Sequence, residues 1–368
     1  MTRALRLAER GMFTTQPNPR VGCVIAKAGA VVGEGWHQRA GEAHAEVFAL
    51  RAAGESARDA TAYVTLEPCG KHGRTPPCAD ALIAAGVARV VIASEDPNQH
   101  GGGALERLRT AGITIESGLL RASARDLNRG FFSRIERGRP WLRIKLAMSL
   151  DGRTALANGD SKWITEVPAR ADVQRWRARS SALMSASGTV LADNPRLTVR
   201  TEELDSLHDD PRSNDSRITF VPPLRVVLDR ELRTPASAHV LDGTAPTLVA
   251  HSANASPVDA RFERVERAAI EMQDGRLDLD AMMKMLATRG VNEMQVESGP
   301  TLCGALVDAG LVDELLLYVA PVLLGDSARP LLASPALTRM TQRRSMQILE
   351  QRQIGDDLRL LMRPVATN

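Results

Sequence analysis

His44, Cys69 and Cys78 constrain this chain most, because a neutral imidazole and two thiolates serve one tetrahedral Zn²⁺ only if three separate segments meet at a point. His44 opens the tripeptide His44-Ala45-Glu46. Cys69 follows Pro68, and Cys78 closes the run Gly73-Arg74-Thr75-Pro76-Pro77. Three protein ligands leave the fourth position of the ion to a water, which the metal acidifies. Glu46 gives the set its chemical direction: two residues after the His, it sits beside the metal without ligating it and can carry protons.

His-x-Glu, then Pro-Cys, then a second Cys is the pattern of zinc deaminases that act on nucleobases, where the Glu moves protons between water, ring nitrogen and leaving ammonia. The plainer alternative keeps His44 as a helix residue and the cysteines as small buried hydrophobes. Four elements in the right order weigh against it. Local pattern agrees: Ala62 to Leu66 reads as a short strand, and Cys78 to Ala85 as a helix ending at Gly86. Cys78 then sits at a helix N-terminus, where the dipole favours the thiolate. His44 opens a second apolar-periodic stretch with Val47, Ala49 and Leu50.

A chain of 368 residues favours two domains, each able to bury its own core. Of 4 cysteines two are assigned to the metal, Cys23 lies in the apolar run Val21 to Ile25, and Cys303 falls in a helical stretch, so no disulfide framework is expected and a reducing, cytoplasmic setting follows. The stretch Arg3 to Met12 is a short charged amphipathic helix, and no run has the length of a signal h-region or a membrane span. A net charge of +3 with signs interspersed is too weak and scattered to imply nucleic acid, no aromatic stacking set stands out among only 3% aromatics, and small anionic ligands remain compatible.

The pattern changes near residues 117 to 140. Before it, short strands (Val21 to Ile25, Ala62 to Leu66, Arg89 to Ala93, Ile113 to Ile115) alternate with helices, as in an α/β sandwich. Arg121 to Arg139 reads as one charged helix ending in Gly138-Arg139-Pro140, and a fresh strand starts at Trp141, which places domains at 1–139 and 140–368. The second half carries strands at Leu224 to Leu228, Thr247 to Ala250, Met294 to Glu297 and Glu314 to Ala320, and helices at Pro168 to Arg179 and Leu277 to Arg289. Thr201 to Ser216, rich in Asp, Glu and Ser, is expected to be a solvated loop. Glu297 to Gly304 follows a strand and opens a helix, so its free N–H groups mark a place for a phosphate, although glycine turns of this kind are also common as plain structure.

The run Pro17-Asn18-Pro19-Arg20-Val21-Gly22-Cys23, with His44-Ala45-Glu46, Thr65-Leu66-Glu67-Pro68-Cys69, Gly73 to Cys78 and Asp96-Pro97-Asn98, closely resembles the riboflavin-biosynthesis deaminase domain. The second half resembles the partner reductase through Lys145, Ser149 to Gly152, Ser161, Trp163-Ile164-Thr165, Ala192 to Pro195, Leu197-Thr198 and Glu297 to Gly304. Together the matches cover almost the whole chain, in the manner of the bifunctional pyrimidine deaminase/reductase family. That resemblance implies an α/β fold class: an N-terminal cytidine-deaminase-like αβα sandwich plus a C-terminal dihydrofolate-reductase-like α/β domain. It also implies one Zn²⁺ in the first domain, NADPH in the second, a phosphorylated pyrimidine as substrate, no nucleic-acid or membrane partner, and a homo-oligomer, dimer or tetramer. Two reactions are implied in succession: hydrolytic loss of the 2-amino group from 2,5-diamino-6-ribosylamino-4(3H)-pyrimidinone 5′-phosphate, then reduction of the ribosyl group to ribityl.

Residue by residue, the resemblance implies Glu46 as the catalytic proton carrier, His44, Cys69 and Cys78 as metal ligands, and Asn18, His37, Arg74 and Asn98 as deaminase substrate contacts. In the reductase it implies Ser161, Arg177, Leu197, Arg200 and Glu297 at the substrate, the two arginines at its phosphate and Glu297 at a sugar hydroxyl. Ala147, Trp163, Thr189 and Asp193 are implied near the cofactor, with Gly299, Pro300, Thr301, Leu302, Cys303, Gly304 and Ala305 around its pyrophosphate. Arg230, just after a strand, is placed at a 2′-phosphate. No single proton donor is named, although Lys145 and Asp151 lie on the matching strand-to-loop segment. Two departures stand out: Gly70-Lys71-His72 replaces the family's Ser-His after the first Cys, and the stretch after Asn98 is short. Two other classes compete. A different nucleobase or tRNA deaminase with an unrelated appended domain predicts a basic groove, and a non-catalytic zinc protein needs a fourth protein ligand.

Overall fold

The computed structural model describes residues 1–71, 76–99, 103–205, 218–255 and 260–365. They form two compact units, Met1–Arg139 and Pro140–Asn368. The first unit runs α1 (Thr2–Glu9), β1 (Gly22–Lys27), β2 (Ala30–Trp36), α2 (Ala45–Ala53), β3 (Thr61–Val64), α3 (Cys78–Ala84) and β4 (Arg89–Ile92). It continues with α4 (Ala104–Thr110), β5 (Thr114–Ser117), α5 (Arg121–Leu127) and α6 (Arg129–Arg137). Its sheet has the order β2-β1-β3-β4-β5, with β1 antiparallel to both neighbours and β3, β4 and β5 parallel. Ile25, Val64, Leu82, Ile92 and Leu108 fill the core between sheet and helices. Apolar residues at alternate strand positions and on one helix stripe leave no other way to bury both.

Two glycines decide how closely α2 approaches β2. A Cβ at Gly33 would lie 2.2 Å from the Ala49 carbonyl oxygen, and one at Gly35 would lie 2.4 Å from that of Ala45. Backbone packs on backbone there, a contact open only to residues without a side chain. This contact fixes the start of α2 and so the position of His44 and Glu46.

The second unit begins with β6 (Trp141–Ser149), β7 (Arg153–Ala155), α7 (Val167–Arg179), β8 (Ala182–Ala186), α8 (Ser187–Asp193), α9 (Thr201–Asp205) and β9 (Leu224–Leu228). Then come β10 (Thr247–Ser252), β11 (Glu266–Ile270), β12 (Met272–Gln273), β13 (Arg276–Leu277), α10 (Leu279–Thr288), β14 (Glu293–Val296) and α11 (Pro300–Asp308). The last strands are β15 (Glu314–Ala320), β16 (Arg329–Pro330), β17 (Met346–Ile354) and β18 (Asp357–Pro364). Nine of them form a sheet ordered β11-β10-β9-β8-β14-β6-β15-β18-β17, in which only β18 runs antiparallel to its neighbours. Neighbouring residues on one strand join different cores: Met184 and Val226 pack with Leu142 and Met294, whereas Leu183 and Val227 pack with Val249 and Phe262. A parallel sheet covered on both faces explains why successive strand positions are apolar, as in Val226-Val227-Leu228. Asp278 caps α10 by accepting from the Asp280 and Ala281 N–H groups at 2.8 and 3.1 Å.

Two expectations are corrected. The single helix expected over Arg121 to Arg139 is two, broken at Asn128, whose buried amide accepts the Arg20 N–H and donates to the Arg20 carbonyl, both at 2.8 Å. The segment Thr201 to Ser216 opens as helix α9 rather than a loop, because Leu204 is fully buried and Glu203 pairs with Arg200; residues 206–216 lie outside the described residues. Among the described residues no helix is long and apolar enough to cross a membrane.

Candidate functional sites

His44 occupies the N-cap of α2 with extended backbone (φ −78°, ψ 166°), Cys78 is the first residue of α3, and Cys69 lies in the loop after β3. Two helix N-termini therefore face one point. His44 Nδ1 is 3.2 Å from Cys78 Sγ and 3.5 Å from Cys69 Sγ, and the Cys78 N–H donates to Cys69 Sγ at 3.1 Å. All three ligand atoms lie within 4.8 Å of one another. The Cys69 thiol is held down to about 4, first by a hydrogen bond from Cys78 and then by His44, while Cys78 goes up because it shares that proton in a buried place. Glu46, buried in the first turn of α2, has its carboxyl raised to about 7, chiefly by burial, and its Oε2 has no hydrogen-bond partner among the described residues. Converging thiols, an imidazole and an orphaned carboxylate oxygen beside them fit one zinc ion with an open fourth position.

His37 and Asn18 stand next to this set. His37 is 2% exposed and its ring meets that of His44 edge-on at 5.3 Å. Its Nδ1 is 3.1 Å from the Ala43 carbonyl oxygen, which only accepts; Nδ1 therefore carries the proton and Nε2 accepts from the Asn18 amide nitrogen at 3.1 Å. The Asn18 amide is oriented by that bond, and its oxygen is left as an acceptor. Asn98 lies in an exposed turn, its N–H donating to Asp96 Oδ1 at 2.9 Å. Arg74 and His72 lie outside the described residues.

The second unit contains a cavity of about 930 Å³. It brings together most of the residues expected there: Ala147 on β6, Ser161 and Trp163 on the segment before α7, Thr189 and Asp193 on α8, Leu197, Arg230, and Glu297 at the end of β14. Gly299, Pro300, Thr301, Leu302 and Ala305 line it as well, at the open start of α11. Three expected residues are not on its wall. Cys303 is buried, its thiol turned to the Ser298 carbonyl at 3.3 Å. Gly304 packs on backbone, where a Cβ would lie 2.1 Å from the Ala333 carbonyl oxygen. Arg200 points to Glu203 on α9, and its N–H donates to Gln174.

The cavity's charges are already organised. Arg177 donates through Nε and Nη2 to both Glu297 oxygens at 2.7 Å and through Nη1 to the Thr198 carbonyl at 2.8 Å. Burial pushes Glu297 upward, but the Arg177 charge and fork, Lys145 and Gln295 together outweigh it and hold the carboxyl down to about 2. Lys145, also on the wall, is lowered by burial and stands 5.7 Å from the Tyr318 ring centre. Thr189 Oγ1 accepts the Gly299 N–H at 3.2 Å, so the open N–H groups of this turn belong to Thr301 and Leu302. Trp163 is 68% exposed, which rules out core packing, and the Arg170 guanidinium lies 4.6 Å over its ring. Asp151 is absent from the wall: its carboxylate bonds the Ser149 hydroxyl and the Leu324 and Gly325 N–H groups, and so anchors a loop. Arg170, Arg233, Arg276 and Arg329 also line the cavity, with no sequence signal to mark them.

Residues 140–360 match the family model of the RibD C-terminal domain, and residues 1–94 match the cytidine and deoxycytidylate deaminase zinc-binding region. The chain is 50% identical over 361 residues to the riboflavin biosynthesis protein RibD of Escherichia coli (strain K12), covering 97% of this chain and 96% of the relative. It is 46% identical over 370 residues to RibD of Haemophilus influenzae, with 99% and 96% covered. Among solved structures, form 1 of Acinetobacter baumannii RibD superposes with a TM-score of 0.89 at 41% identity, covering 99% of this chain and 98% of that one. A diaminohydroxyphosphoribosylaminopyrimidine deaminase/5-amino-6-(5-phosphoribosylamino)uracil reductase from Thermotoga maritima gives 0.83 at 31% identity, with 99% and 97% covered.

Proposed function

Because the chain belongs to the RibD family of bifunctional riboflavin-biosynthesis enzymes, a zinc-dependent deaminase joined to an NADPH-dependent reductase, we propose a role for each residue gathered at its two sites. The substrate of the first site is 2,5-diamino-6-ribosylamino-4(3H)-pyrimidinone 5′-phosphate, and the product of the second is 5-amino-6-ribitylamino-uracil 5′-phosphate. The observation that carries the reading is the His44, Cys69 and Cys78 cluster with the unpartnered Glu46 oxygen beside it.

Zinc held by those three residues supplies an acidified water at neutral pH. Glu46 takes a proton from the attacking water and passes protons to the ring nitrogen and the departing ammonia. The Asn18 amide, set by His37, offers its oxygen to the pyrimidine edge, and Arg74 and Asn98 complete the substrate contacts. NADPH supplies the hydride of the second step, so the second unit has mainly to bind and orient. Thr301 and Leu302, at the start of α11, hold the pyrophosphate by their N–H groups. The Arg177–Glu297 pair faces the sugar and phosphate, and Ser161 and Lys145 flank it.

We place the enzyme in the reducing cytoplasm, since its metal set needs free thiols and all four cysteines are unpaired. We also assign it as a homo-oligomer, dimer or tetramer: β17 is a nine-residue edge strand with exposed Ile348 and Leu349, the kind of edge a second copy covers, and light scattering at micromolar protein checks it. For the main reading, the diaminopyrimidine phosphate is supplied without NADPH and ammonia is followed; NADPH is then added. Ammonia release first and NADPH oxidation only on addition is the expected order. Consumption of NADPH with no ammonia released contradicts it.

A further inference from the structure

Three arginines, Arg230, Arg233 and Arg276, lie on the cavity wall, and the first two pair with Glu231. The loop after β9 is held rigid by buried Asp229, which accepts the Arg233 and Thr234 N–H groups at 2.9 and 2.7 Å and the Thr234 hydroxyl at 2.7 Å. That turn sets Arg230, Glu231 and Arg233 on the cavity wall. Opposite, strands β12 and β13 form a short hairpin reversing at Asp274 and Gly275, both with positive φ (49° and 73°), which puts Arg276 on the same wall. Arg230 ties the two together by donating to the Gly275 carbonyl at 2.5 Å.

The three guanidiniums are not equivalent. Arg230 is engaged by Gly275 and by Glu231, and Arg233 stands 3.7 Å from the same Glu231. The Arg276 side chain has no hydrogen bond or ion pair among the described residues and is exposed beside a cavity lined by Leu228, Leu277 and Leu279. Leucine side chains beside an uncommitted cation match the adenosine end of a dinucleotide carrying a phosphate monoester. That group bears about −1.5 to −2 charges and three acceptor oxygens, which a guanidinium meets with two parallel N–H bonds. The phosphate is also all that separates NADPH from NADH.

We infer that Arg276, rather than Arg230, binds the adenosine 2′-phosphate and sets the preference for NADPH, and that Arg230 is a positioning residue that pins the Arg276 hairpin to the loop after β9. The inference rests on the reading of the second unit as an NADPH site. Arg276 is exposed, so its truncation leaves the fold intact. The test is titration of full-length wild type, Arg276→Ala and Arg276→Lys with NADPH and NADH, followed by nicotinamide fluorescence, with 2′,5′-ADP and 5′-AMP as competitors. Arg276→Ala is expected to weaken NADPH and 2′,5′-ADP by about 10- to 100-fold and to leave NADH and 5′-AMP within about twofold, with partial recovery in Arg276→Lys. Equal loss for both nucleotides, or an unchanged NADPH affinity, overturns the assignment of Arg276 alone. A wild type that binds NADH as tightly as NADPH overturns the NADPH reading and the assignment with it.

Discussion

Glu46 is buried and Glu297 is mostly covered on its cavity wall, and their surroundings drive them in opposite directions. Burial dominates at Glu46, whereas at Glu297 the Arg177 fork, Lys145 and Gln295 overcome burial and keep the carboxylate ionised. A carboxyl depressed from its usual 4.5 to about 2 contributes stability that is complete above 4.5 and is lost as pH falls through 2. The ionised Glu297, with Arg177, Lys145 and Gln295 around it, should therefore add roughly 3 kcal/mol to the second unit at neutral pH, eroding between pH 4.5 and 2. Urea unfolding of Glu297→Gln at several pH values checks this: the variant should lose the steep part of the acid dependence, and an unaltered slope counts against the pair. At this scale the sequence was most legible where chemistry is rare. Few arrangements other than a metal site call for His44, Cys69 and Cys78 in this order, so their meeting was foreseeable. Arg143 was not, because a strand position flanked by Leu142 and Ile144 gives no sign that a fully buried guanidinium will bridge Glu293 and Glu314 across three strands. Arg276 was hidden for a related reason: its two-residue strand is too short to show a period.

Elements succeed or fail as supports according to how closely they approach one another. Helix α2 carries His44 and Glu46, and its backbone rests on Gly33 and Gly35 of β2. Gly35→Ala puts a methyl 2.4 Å from the Ala45 carbonyl oxygen, next to the first turn of the helix. Overpacking of this kind costs roughly 1–3 kcal/mol, and the displaced turn should loosen the metal set. Thermal unfolding and zinc titration of Gly35→Ala are expected to show a lower melting temperature and weaker zinc retention, with NADPH binding unchanged. Intact zinc affinity would mean that β2 does not set the His44 position. Strand β2 itself went unrecognised in the sequence, since Gly33, Glu34 and Gly35 break the apolar alternation that marks a half-buried strand. Strands β1, β9 and β15 were legible because each holds an apolar run: Val24-Ile25-Ala26, Val226-Val227-Leu228 and Leu315 to Ala320. The polar edge strand β17, exposed along both faces, offered no such pattern.

At the scale of the molecule, two units each hold a site of a different kind: a metal set built on two helix N-termini, and a cavity of about 930 Å³ in the unit with the mostly parallel sheet. The division at Gly138-Arg139-Pro140 was readable because a helix stop and a fresh strand stand side by side. The reach of the cavity was not, because its wall is drawn from residues between Lys145 and Leu331. Two chemically independent steps reside on one chain. Glu46→Gln tests this most directly, with the diaminopyrimidine phosphate and its deaminated product offered separately while ammonia and NADPH are followed. The variant should keep its zinc, release ammonia about 10²- to 10⁴-fold more slowly, and fail to oxidise NADPH with the diamino compound, yet reduce the deaminated compound at the wild-type rate. Full deaminase activity in Glu46→Gln, or reductase activity lost along with it on the deaminated compound, contradicts the account.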